Sequence, residues 1–259
     1  MVYRSYMVYN DLIPYAGYLW AWYKIDEGSG YTLRNSAVVA DKAPDLTVYG
    51  NLTTFWTTLA GFGYGNGTNI YANYESTIPF HTRDGYEAGA CFSRVTGNTA
   101  GASGLLDASS SLVSTTSGDC YILYGYYGGP PSALFIVADG VVDYSGYIPQ
   151  ASYLNRWVFT FMTAVKNNGT YTMETQVCLD DGTLFTPSAS TTSTLFTTRQ
   201  IKRLSVFRGY WSGSGGWTYF MGEIGDVLWY VNKDMTLTEW GVWYDNLRSR
   251  YGMAARVGW

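Results

Sequence analysis

Histidine is almost missing from this chain: His81 is the single one among 259 residues. That excludes a histidine-rich metal site. His81 lies in Pro79-Phe-His-Thr82, and no G-x-S-x-G elbow occurs anywhere, so it reads as a structural side chain rather than a catalytic base. Cysteine is scarce too, with Cys91, Cys120 and Cys178 too far apart for a zinc pattern and odd in number for a disulfide framework. Buried free thiols are the favoured reading, with one disulfide and a spare thiol as the alternative. Charged residues make up 14%, well below the usual quarter. The net charge is −4 and no basic stripe exists, which argues against nucleic acid as a partner. No apolar run reaches the length of a membrane span, and Met1-Val-Tyr-Arg-Ser-Tyr6 lacks the apolar core of a secretory signal. Synthesis in a cytoplasm is therefore expected, and the sequons at Asn51, Asn66 and Asn168 carry little meaning without such a signal. There is no P-loop, no dinucleotide fingerprint and no internal repeat; Gly209 to Gly216 is glycine-rich but no helix follows.

What the chain has is aromatic bulk: 25 Tyr, 11 Phe and 10 Trp. Such side chains suit sheets and surfaces that meet a protein or a sugar face. Strand-like runs follow one another at hairpin spacing. Tyr219 to Asn232 is rich in β-formers and continuously apolar from Val227 to Val231. Residues 86–94 alternate, with Tyr86, Ala88, Ala90 and Phe92 on one face. Residues 120–127 and 133–138 are strands split by Gly128-Gly-Pro-Pro131, and Asn167-Asn-Gly169 turns one long strand into the next. Residues 54–73 and 96–118 read as loops, and Tyr210 to Trp217 as an aromatic loop. One helix is predicted between about Thr236 and Tyr251. Trp240, Trp243, Tyr244, Leu247 and Tyr251 share a face, Thr236 and Glu239 fit a capping box, and Gly252 fits the left-handed stop.

The closing run Gly222-Glu-Ile-Gly-Asp-Val-Leu-Trp-Tyr-Val-Asn232, with its threonine-capped helix, resembles the end of a laminin G-like jelly roll of the concanavalin A-like lectin and glucanase superfamily. The opening Gly17-Tyr-Leu-Trp-Ala-Trp-Tyr-Lys-Ile-Asp-Glu-Gly-Ser-Gly30 resembles the start of such domains, and Asn155 to Thr163 and Thr170 to Gly182 resemble a central strand pair. The resemblance implies an all-β fold, an antiparallel two-sheet sandwich with one C-terminal α-helix. Residues 1–14 are then an added arm or edge strand, 15–252 the domain and 253–259 a tail. Calcium at the sandwich rim is possible by resemblance, with Asp139, Asp143, Asp180 and Asp181 as weak candidates. Turn chemistry explains these aspartates as well. Otherwise no cofactor is expected.

Glycanases of that superfamily carry two carboxylates two or three residues apart on one strand, as E-x-D-x-E or E-x-D-x-x-E. No such run exists here. Glu223 and Asp226, three apart, should face opposite sides, and the adjacent Asp26 and Glu27 suit a turn. A catalytic role is therefore not expected. Tyr124, Tyr126, Tyr127, Trp211 and Trp217, in or beside glycine-rich loops, are the candidates for stacking on a sugar or anchoring a protein. The expected function is a non-enzymatic structural or interaction protein. A virion subunit of phage capsid-decoration, fibre or tail type comes first, on a virion surface and among copies of itself and other virion proteins. A carbohydrate-binding lectin module, with an extracellular location, is the alternative.

Overall fold

The computed structural model describes residues 13–56, 62–83, 87–97, 102–109, 120–125, 133–138, 141–147, 150–167, 170–185, 191–193, 199–211, 216–231, 233 and 235–259. Two large antiparallel sheets make the sandwich. The first runs in the spatial order Leu19–Tyr23, Met221–Val231, Glu87–Val95, Trp157–Asn167, Thr170–Cys178 and Leu184–Phe185. Gly63–Asn66 and Thr191–Ser193 also pair onto it. The second sheet runs Val141–Tyr147, Ala133–Ala138, Cys120–Gly125, Ala102–Ser109, Arg203–Val206, Tyr71–Glu75, Leu46–Tyr49 and Thr32–Leu33. The expected sandwich is thus observed, and its hairpin closes between Asn167 and Thr170 as the turn signal requires.

Side-chain alternation explains why the middle of the first sheet is apolar on both faces. Cys91, Val158, Val177, Val227 and Trp229 point into the core shared with the second sheet. Their neighbours Ala90, Phe92, Phe159, Cys178, Leu228 and Tyr230 point the other way, into a second apolar layer. A strand buried on both faces has no polar side to show, which is the physical reason for the unbroken Val227–Val231 run.

The terminal helix, Leu237–Leu247, covers that second layer, and a 3₁₀ turn, Arg248–Tyr251, follows it. Both capping-box bonds form: the Thr236 amide donates to Glu239 Oε2 (2.7 Å), and the Glu239 amide donates to Thr236 Oγ1 (3.3 Å). Trp240, Trp243 and Tyr244 are buried, whereas Leu247 is half-buried. The tail then lies on its own domain. The Ala254 amide donates to the Asp180 carbonyl (2.8 Å), and the Val257 amide donates to the Gly182 carbonyl (3.0 Å).

Several regions depart from the sequence reading. Gly63–Asn66, Tyr71–Glu75 and Ala102–Ser109 are strands where loops were expected, and Leu52–Phe55 and Gln150–Tyr153 are short helical turns. The first strand looked like a loop because it must be small. A Cβ on Gly63 would sit 2.7 Å from Phe55 and 2.8 Å from Phe207. The expected aromatic loop is instead a hairpin, Arg208–Trp211 paired with Gly216–Tyr219. It branches from the sheet at Phe207, whose positive φ of 70° turns the chain while its ring stays in the core.

Candidate functional site

The outer face of the second sheet carries polar and aromatic side chains in register. On Leu46–Tyr49, Leu46 and Val48 face the core while Thr47 and Tyr49 are exposed. The pairing sets Tyr49 opposite Tyr71, and Thr47 opposite Asn73, Ser205 and Asp107 in turn. Arg203 stands opposite Glu75. The result is one row of aromatic rings and a parallel row of polar groups, built from strands distant in sequence.

Stacking orders the aromatic row. The Tyr49 and Tyr71 rings lie 5.0 Å apart and nearly parallel, at 14°. Tyr219 from the hairpin stands 5.9 Å from Tyr71. The Arg208 guanidinium sits 3.8 Å over Tyr71 and 4.1 Å over Trp217, and Arg203 lies 4.4 Å over Trp217. Each cation over a ring face gains electrostatic energy that grows as water is excluded. At the far end of the row, Tyr49 is 44% exposed.

Ion pairs fix the polar row. Arg203 and Asp107 are fully buried and meet at 2.9 Å beneath the hairpin. Removing one partner of such a pair would strand a charge in the interior. Glu75 is different, because its side chain is 40% exposed. Its Oε1 accepts from Arg208 Nη2 at 2.8 Å and from Asn73 Nδ2 at 2.7 Å, while its other oxygen has no partner among the described residues. Asn73 Oδ1 is buried without a partner among the described residues. Burial raises the Tyr71 hydroxyl above its ordinary value, with Arg208 acting against it, so the phenol stays protonated near neutrality. The site therefore offers an exposed aromatic ring at Tyr49 and a half-exposed carboxylate held by a buried guanidinium.

A second polar cluster is closed. Asp226 is buried and accepts from Trp22 Nε1 (2.7 Å), the Tyr251 hydroxyl (2.5 Å) and Arg250 Nη1 (3.0 Å). Glu223 is paired with Arg94 at 2.5 Å. The expectation that these two carboxylates face opposite sides is corrected. The register slips between Ile224 and Val227, so two residues stand against Phe92 alone. This bulge turns both carboxylates to the helix side of the sheet. Each is consumed by its partners there.

The sequence candidates are dispersed. Tyr124 belongs to the Cys120–Gly125 strand, opposite Leu134 and Ser103. Trp211 ends a hairpin strand opposite Gly216, and Trp217 lies half-buried against the two arginines. Both tryptophans sit on strands, not in a loop, because the hairpin pairs. Tyr126, Tyr127 and Asp139 fall outside the described residues. Asp143 stands opposite Ile136 on a strand. Asp180 binds Arg156 Nε (2.7 Å), and Asp181 accepts from the Thr183 amide (2.9 Å), which holds its carboxyl below the ordinary value. Among the described residues no group of three or more His, Cys, Asp or Glu is placed to hold a metal. Of the site's members, only Trp217 was singled out by sequence. Tyr49 was detectable through the Leu-Thr-Val-Tyr alternation, but nothing local pointed to Tyr71, Glu75 or Arg208.

No protein-family model matches the chain, and no curated protein sequence matches it. Solved structures do resemble it. Trypanosoma rangeli sialidase in complex with sialic acid aligns with a TM-score of 0.56 at 14% identity, over 91% of this chain and 34% of that one. An α-L-arabinofuranosidase soaked with 4-nitrophenyl α-L-arabinofuranoside aligns with a TM-score of 0.52 at 14% identity, over 85% of this chain and 50% of that one. This chain therefore spans a third to a half of the length of those proteins. At such identities the likeness is one of fold, a β-sandwich consistent with the concanavalin A-like architecture expected from the sequence.

Proposed function

We propose that this chain is a non-catalytic glycan-binding sandwich. Its ligand lies on the outer face of the second sheet, with one sugar ring against Tyr49 and, farther along the glycan, a hydroxyl read by Glu75. The carrying observation is the Tyr49–Tyr71 stack, open to solvent at Tyr49, on the same face as a carboxylate with one oxygen unengaged. Sugars need that combination, because a pyranose presents an apolar C–H face and a rim of hydroxyls. Arg208 is held by Tyr71 and Trp217 and in turn holds Glu75, so little side-chain entropy is lost when a ligand binds. The structurally similar sialidase and arabinofuranosidase were solved with sugars, which makes sialic acid and arabinosides the first probes. A binding role without hydrolysis is supported by the closed state of the other carboxylates: Asp107, Glu223 and Asp226 are each occupied by a cation. No metal is needed for this mode of binding.

A glycan array followed by calorimetry tests the reading. Tyr49→Ala should weaken binding by roughly 2 kcal/mol, about thirtyfold, as loss of an aromatic anchor does. Equal affinity in wild type and variant would rule out this face. The virion setting and the finer laminin G-like assignment are proposed alongside. They rest on the low charge, the tyrosine content, the arm before Pro14 and the two end motifs. A sandwich displayed on a particle and holding a glycan satisfies both readings.

A further inference from the structure

At the edge of the second sheet, next to the exposed end of the aromatic row, lies a cavity of about 450 Å³ lined by Glu27, Ser29, Gly30, Tyr31, Thr32 and Arg34. Register places it. Thr32 pairs with Thr47 and Leu33 with Leu46, and the Val48 amide donates to the Tyr31 carbonyl at 2.7 Å. Tyr31 thus lies beside Val48, the residue before Tyr49. The turn is fixed from below. Trp56 Nε1 donates to the Gly30 carbonyl at 2.9 Å, and the Arg34 amide donates to Glu27 Oε1 at 2.7 Å.

The groove holds two opposite charges that do not pair with each other. Arg34 is exposed and makes no ion pair among the described residues. The second oxygen of Glu27 is covered and has no hydrogen-bond partner among the described residues. Tyr31, 64% exposed, adds an aromatic wall. An exposed donor and an exposed ring therefore share this groove.

We propose that this groove is a second sugar subsite, holding the unit next to the one stacked on Tyr49, so that the ligand is an oligosaccharide read across at least two units. The proposal rests on the glycan-binding reading above. Arg34 donates to a hydroxyl of the second unit, the Tyr31 ring meets its apolar face, and Ser29 and Thr32 line the remaining wall. A monosaccharide fills only the Tyr49 subsite and gains none of this.

The test is an array carrying matched series of one to four units of arabinose, galactose, glucose and xylose, with sialyllactose beside lactose. In whichever series wild type binds, the signal should rise about tenfold from one unit to two, the effect of a charge-assisted hydrogen bond. Arg34→Gln should remove that rise and leave monosaccharide binding unchanged, and Tyr31→Ala should reduce it. Tyr49→Ala should lower every length alike. Binding without length dependence, or an Arg34→Gln variant that loses all lengths equally, would overturn the second subsite alone. No binding by wild type across the array would overturn the glycan reading and this inference with it.

Discussion

Tyr251 shows how one side chain closes the helix layer. Its ring lies on Gly225, where any Cβ would collide with it, and stacks on Phe92 at 4.3 Å. Its hydroxyl accepts from the Asp226 amide at 2.6 Å and donates to the Asp226 carboxylate. Gly225→Ala should therefore cost about 1–3 kcal/mol through overpacking, measured as a lowered urea midpoint, and a midpoint equal to wild type would contradict the contact. Burial pushes the Asp226 carboxyl above its ordinary 3.8, outweighing Arg250, Tyr251 and Trp22. The folded state thus holds this proton more tightly than the unfolded chain. The resulting stability is present below the ordinary value and is lost as pH rises through the raised one. Asp226→Asn cannot titrate there. As pH rises above the ordinary carboxyl value its urea midpoint should improve relative to wild type, whatever constant offset the lost Arg250 pair imposes. A pH-independent difference would mean that the Arg250 pair cancels the burial. Sequence spacing hid this residue's role, because alternation breaks at the bulge and no local pattern announces one.

The terminal helix is the element most visible in the sequence, since its cap and its apolar stripe are both local signals. What the stripe does not reveal is depth. Trp243 is buried, donates to the Tyr230 hydroxyl at 2.7 Å and meets Trp22 edge-on at 5.1 Å, whereas Leu247 is only half-covered. Trp243→Ala should cost about 3–5 kcal/mol, and Leu247→Ala about 1–2, less than the 2–5 of a fully buried leucine. Urea titrations of the two variants check the order; a larger loss at Leu247 would misplace the helix. The Gly63–Asn66 strand is the converse case. Its glycines admit Phe55, Phe207 and Phe220 against the backbone, and a strand made small for that purpose carries no β-former signal.

At the scale of the whole molecule, an apolar layer between the first sheet and the helix is what the sequence reading did not foresee. The sandwich and its covering helix were legible, because turns, strand runs and the cap are local. The candidate site was not, because it depends on pairs such as Tyr49 with Tyr71, Arg203 with Glu75, and Arg208 with Glu75, which only folding brings together. The same distinction bears on assembly. Low charge leaves sheet edges with few guarding side chains, and an arm that adds a strand to a neighbour would cover one. Its last residues belong to this domain, for Ile13 is buried and the Pro14 carbonyl accepts from the Tyr230 hydroxyl at 2.6 Å. Removing residues 1–14 should lower stability by about 1 kcal/mol, because the Tyr230 hydroxyl loses its acceptor and Ile13 its burial. If the arm joins subunits, light scattering will show an assembly for the intact chain and a monomer for the chain lacking residues 1–12. Equal masses for the two would confine the arm to its own domain and leave the glycan face as the chain's route to a partner.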